Sequence, residues 1–171
     1  MFRLFSYFCI SFLLISLFSP MGQSEAKELN CGTCEYWQAR VDPAIPLPET
    51  TVELNEENFL KAVECLLALR GRISSSRFPS AVVSSTLSRR FPSPTIEIAS
   101  LYYISFLYYD NQAHCRAIVL VDKDGNQNTK ESIETAYKAY QSWFEKVKEI
   151  GLEKAGEQKL DPLAGTDVRW Y

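Results

Sequence analysis

Histidine is almost missing from this chain: His114 is the one imidazole in 171 residues. Any Ser-His-Asp or Cys-His mechanism would have to pass through it. It lies in the polar stretch Asp110-Asn-Gln-Ala-His114, which reads as an exposed turn with no catalytic company. An excess of positive charge is lacking as well. Eighteen Lys and Arg are scattered among 21 Asp and Glu, for a net charge of -3, so no basic cluster is available to neutralise phosphates and nucleic acid is not an expected partner. The carboxylates single out no hydrolytic pair, because Glu56-Glu57 and Glu131 with Glu134 fall at helix starts, where they favour the macrodipole. No Asn-x-Ser/Thr acceptor occurs, which weighs towards a bacterial envelope over a eukaryotic secretory route.

Long apolar runs are also in short supply. The longest, Leu4 to Phe18, holds 15 residues and three serines, whereas a membrane span needs about 20 mostly apolar residues. With Arg3 before it and Ser19-Pro20 after it, followed by Ser24 and Ala26 at the minus three and minus one positions, it reads as a signal peptide cleaved after Ala26. The expected product begins at Lys27, carries no stable membrane span and resides in the periplasm or the extracellular space. What remains has the composition of a folded domain: 46% of the whole chain is hydrophobic, 13% aromatic and 23% charged.

Cleavage would remove Cys9 and leave Cys31, Cys34, Cys65 and Cys115, an even number in an oxidising compartment, so disulfides are the default expectation. Four cysteines allow three connectivities, and sequence does not choose among them. Cys31-Gly-Thr-Cys34 has the spacing of thiol-disulfide oxidoreductases, but the buried strand that leads into that motif in a thioredoxin fold has no counterpart here. Zinc ligation by Cys31, Cys34 and Cys65 with His114 or Cys115 lacks the second close pair that gives structural zinc sites their geometry. Asp122-Lys-Asp-Gly-Asn-Gln-Asn128 places oxygen ligands at alternate positions, yet its glycine falls early for a calcium loop and Ile133 stands where a bidentate glutamate is required. A turn capping the next helix accounts for the same residues. No metal and no cofactor is expected.

Three stretches carry helical periodicity. Asn55 can cap a helix with Phe59, Ala62, Val63, Leu66 and Leu69 on one face, ended by Gly71. Ser93-Pro94 opens a second through Ile96, Ala99, Tyr103, Phe106 and Leu107. Asn128 and Glu131, spaced as a capping box, open a third running through Ile133, Ala136, Tyr140 and Trp143 to Gly151. Phe59, Ile96 and Ile133 are 37 residues apart, as are Ala62, Ala99 and Ala136, Leu66, Tyr103 and Tyr140, and Leu69, Phe106 and Trp143. Pro79 to Leu87 and Ala113 to Asp122 are long enough for short antiparallel helices between them. The second of these is β-branched, but no comparable run exists to pair with it, so it is assigned to helix.

A proline-led turn, a short helix, the turn Asp122-Lys-Asp-Gly125 and a longer helix with Ile133, Ala136 and Tyr140 together resemble the HEAT and armadillo-like helical repeats over about residues 55–152. The resemblance implies an all-α fold: a short stack of antiparallel helical hairpins that serves as a binding surface or scaffold without chemistry of its own. The expected organisation is a signal peptide over 1–26, a Cys-x-x-Cys and proline-rich N-terminal arm over 27–54, a helical repeat domain over 55–157 and a C-terminal tail over 158–171. In a stack each unit touches only its neighbours, so Cys65 and Cys115 are not expected to bond, and the bridges should involve the Cys31–Cys34 segment.

Transferring the solvated face of the third helix, Glu134, Lys138, Gln141 and Glu145, back by 37 residues yields an apolar stripe of Leu60, Leu67, Leu101, Ile104 and Tyr108. Such a stripe is either a partner-binding site or is covered within the chain. The candidate covers are the arm with Tyr36, Trp37, Ile45 and Leu47, and the tail with Leu163, Val168, Trp170 and Tyr171. The expected function is that of an exported binding or scaffold protein acting on another protein. The alternative is a thiol-disulfide redox protein using Cys31 and Cys34.

Overall fold

The computed structural model describes residues 33–79, 91–110 and 115–171. The expected signal peptide, Cys31, His114 and most of the helix expected over Pro79 to Leu87 lie outside the described residues. Within them the chain is mostly helical: α1 Cys34–Gln38, α2 Glu56–Leu67, α3 Ile96–Tyr108, α4 Lys130–Ile150 and α5 Leu152–Glu157, with β1 Leu120–Val121 and β2 Arg169–Trp170 forming a two-stranded antiparallel sheet.

α2 forms where the apolar periodicity places it. The Asn55 side chain accepts from Asn58 N at 2.9 Å, Glu56 and Glu57 occupy the first turn, and Phe59, Ala62, Val63 and Leu66 point inward. The chain then turns back through Gly71, whose φ of 82° lies in the left-handed region. α4 is the longest helix, ending at Gly151 as the sequence indicates, with Ala136, Tyr137, Tyr140, Trp143 and Val147 buried.

Both later caps differ from expectation. α3 starts at Ile96 with Thr95 as cap, because Ser76 N donates to Pro94 O and Ser75 pairs with Thr95, holding Pro94 and Thr95 extended. α4 is capped by Thr129, whose Oγ1 accepts from Ser132 N at 3.1 Å. Asn128 is otherwise engaged: it has a φ of 49°, and its Oδ1 accepts from Leu120 N at 2.9 Å.

The segment assigned to a helix over Ala113 to Asp122 is not helical where it is described, and Leu120–Val121 within it form a strand. Leu120 pairs with Trp170 and Val121 with Arg169, so the missing partner strand is the C-terminal tail. Arg116 N donates to Tyr171 O at 2.8 Å and Tyr171 N to Val119 O at 3.0 Å, which satisfies backbone groups that a lone strand would have left unpaired.

The arm contains α1 and is not irregular throughout. A disulfide joins Cys34 to Cys65 on α2, with Cα atoms 5.0 Å apart, and Tyr36 and Trp37 are buried in the main core. Arg72 pairs with the buried Asp42 at 2.7 Å, and Arg77 Nε donates to Ala39 O at 2.8 Å, so the proline-rich stretch after α1 is held against the turn that follows α2. From the other end of the chain, Leu163 and Val168 enter the same core.

α3 departs most from its expected role. It is buried along most of its length, its polar Glu97, Ser100 and Ser105 included, as befits a central helix. α2 packs along one side of it, while Ile98 and Tyr102 on another side meet Ile118 and the half-buried Trp170. Leu101 and Ile104 are each 0% exposed. The stripe obtained by transferring the α4 face is therefore interior along α3, because a helix covered on several sides has no solvated face to transfer.

Candidate functional site

Two members of that stripe do reach the surface. Leu60 and Leu67 are half-buried on the outer side of α2 and line a groove of about 840 Å³ whose other wall is α4. The two helices run antiparallel: Leu152 N, just past α4, donates to Glu56 Oε1 at 3.3 Å, while Arg70 pairs with Glu134 at the opposite end. Phe144 of α4 completes an apolar floor with Leu60 and Leu67, and Lys61, Glu64, Glu145 and Lys148 form charged rims.

The rims are internally paired. Lys61 Nζ lies 3.1 Å from Glu64 Oε2, and Lys148 Nζ lies 2.7 Å from Glu145 Oε1 while sitting 4.8 Å from the centre of the Phe144 ring. Exposed pairs of this kind contribute little to stability, so the rims can be re-paired by an incoming surface at small cost. Tyr108, the last stripe member, is half-buried and donates to Ala155 O at 2.8 Å. The structure thus brings Leu60 and Leu67 together and withdraws Leu101, Ile104 and Tyr108. Phe144 and Lys148 were not foreseen, since the wall opposite α2 depends on which helix packs beside it. The sequence signal available was two leucines seven residues apart on the outer face of a capped helix.

A second recess of about 440 Å³ gathers Asp122, Asp124, Glu131 and Asp167 with the hydroxyls of Thr129, Ser132 and Thr166. The Asp122 carboxylate is already engaged: it accepts from Asp124 N, Asn126 N and Asn126 Nδ2 at 2.8 to 3.0 Å. The Asn126 side chain is the main cause holding its pKa below the ordinary value, with backbone donors adding to it. This is a turn closed on its own aspartate. Among the described residues no three His, Cys, Asp or Glu side chains form a cluster able to hold a metal ion.

The thiols are placed for structure. Cys65 is 1% exposed and bonded to Cys34. Cys115 is a free, half-buried thiol whose pKa burial pushes up to about 12, so it stays protonated and weakly nucleophilic near neutrality. The buried tyrosines behave likewise. Tyr137 hydrogen-bonds with Ser100 at 2.9 Å, Tyr140 pairs with Ser105 and accepts from Trp170 Nε1 at 3.0 Å, and desolvation raises both phenols. Such an arrangement ties helices together and offers no group poised for proton transfer near pH 7.

No protein-family model, curated protein or solved structure matches the chain.

Proposed function

We propose that this is an exported binding or scaffold protein of the cell envelope or extracellular space, acting by protein-protein contact through the groove between α2 and α4. One observation carries the reading: an apolar floor of Leu60, Leu67 and Phe144 is bordered on both sides by charges of both signs, the layout by which a helix pair receives a third helix. Export is supported by the apolar run from Leu4 to Phe18 with Ser24 and Ala26 after it, and a disulfide is compatible with that route. A HEAT-like array is the weaker part of this reading: the complete burial of Ala62, Ala99 and Ala136 favours it, but α2 and α4 pack directly and antiparallel, whereas equivalent helices of a stack run parallel and only adjacent units touch. Redox exchange between Cys31 and Cys34 is less well supported, because Cys34 is committed to Cys65 inside the core.

The test is site-specific photocrosslinking in producing cells. A photoreactive residue at Leu67 should give discrete adducts, whereas one at Ile73, which is 78% exposed and outside the groove, should not. Equal patterns at both positions, or no adduct at Leu67, would refute the proposal.

A further inference from the structure

Resting on that reading of the groove, we propose that its occupant is the α2 face of a second copy of this chain, docked about a two-fold axis with the two α2 helices antiparallel. An occupant must bring apolar residues for the floor and charges of both signs for the rims. α2 carries that set itself: Leu60 and Leu67 seven residues apart, with Lys61 and Glu64 beside them. A two-fold axis passing beside α2 at the level between Val63 and Glu64 sets Leu60 of each copy against Leu67 of the other. It brings the two Glu64 carboxylates near the axis. Each then lies between the Lys61 of its own helix, already at 3.1 Å, and the Lys61 of the other copy, offset along the axis by about two residues or 3 Å. The charges close into a neutral ring of two acids and two bases. An interface in which one patch meets itself is what closed two-fold symmetry requires. The ridge of each α2 then lies in the groove of the other copy, with Phe144 beneath the leucine pair.

Sedimentation equilibrium of the purified chain, expressed in full, tests this directly. A monomer–dimer equilibrium is expected. Glu64→Lys replaces the neutral ring by four positive charges and should raise the dissociation constant by at least about tenfold. Lys61→Glu with Glu64→Lys re-forms the ring with signs exchanged and should bring the constant back to near the parental value. Leu60→Glu with Leu67→Glu should leave monomer alone, and the charge variants decide the matter if that pair does not fold. A chain that is monomeric throughout, or a dimer indifferent to Glu64→Lys, overturns the proposal. If the chain is monomeric while a photoreactive residue at Leu67 links to a different protein, the second copy is wrong and the binding function stands. Adducts of doubled chain mass support the dimer, and no adduct at all removes the groove as an interface.

Discussion

The Cys34–Cys65 bond fastens a five-residue helix that could not persist alone to the helix that lines the groove. It spans 31 residues of sequence, a loop for which chain entropy gives a stabilisation of about 2–4 kcal/mol. Cys34→Ser should therefore lower the denaturant midpoint by a corresponding amount, and adding a reductant should no longer affect the variant. The sequence placed both cysteines among the candidates and directed the bond to the Cys31–Cys34 segment, but pairing needed the packing of α1 on α2 to be known. Alkaline pH supplies a second expectation. Burial raises Cys115 and Tyr102 to about 12, from ordinary values of 9.0 and 10.0. The unfolded chain releases these protons first, so their contribution is fully present below about pH 9 and is lost as pH rises towards 12. Urea titrations between pH 8 and 11 should show stability falling with pH, and native Cys115 should resist alkylation at pH 8.

Among the elements, α2 and α4 were legible because each has one apolar face and a recognisable start. Thr95 and Thr129 displaced the expected caps for tertiary reasons, namely the pairing of Ser75 with Thr95 and the diversion of Asn128 to Leu120. β1 is visible as a β-branched run, but the sequence shows no comparable run to pair with it. Its partner is two residues long and nearly fifty residues downstream, too short and too distant for periodicity to reveal. Because β2 satisfies β1 and its Trp170 donates to Tyr140, removing residues 168–171 takes away a buried valine, a tryptophan contact and the strand pairing together. The expected cost is about 2–4 kcal/mol, read as a lower melting temperature with increased binding of a hydrophobic dye. A truncation that left both unchanged would show that the tail does not close the core.

For the whole molecule, the decisive fact is that α3 is enclosed. A one-sided helix reveals its core face in sequence, whereas one covered by α2, α4, Ile118 and the tail has no solvated face to mark its orientation. Leu101→Glu should accordingly abolish cooperative unfolding, because it buries a carboxylate at a position with 0% exposure. At a chain concentration well below the dimer's dissociation constant, Glu64→Lys on the exposed rim should leave the melting transition within about 0.5 kcal/mol of the parent. Circular dichroism melts of the two variants make that comparison. The three tryptophans fall on three different attachments: Trp37 on the arm, Trp143 on α4 and Trp170 on the tail. Their surroundings differ as well. Trp37 stands edge-on to Tyr36 with ring centres 4.9 Å apart, Trp143 stands edge-on to Tyr108 at 5.0 Å, and the Trp170 indole N–H meets the Tyr140 hydroxyl at 3.0 Å. The protein therefore carries its own optical reporters, and retaining one indole at a time would separate detachment of the arm, loosening of the helix bundle and release of the tail as three distinguishable fluorescence changes.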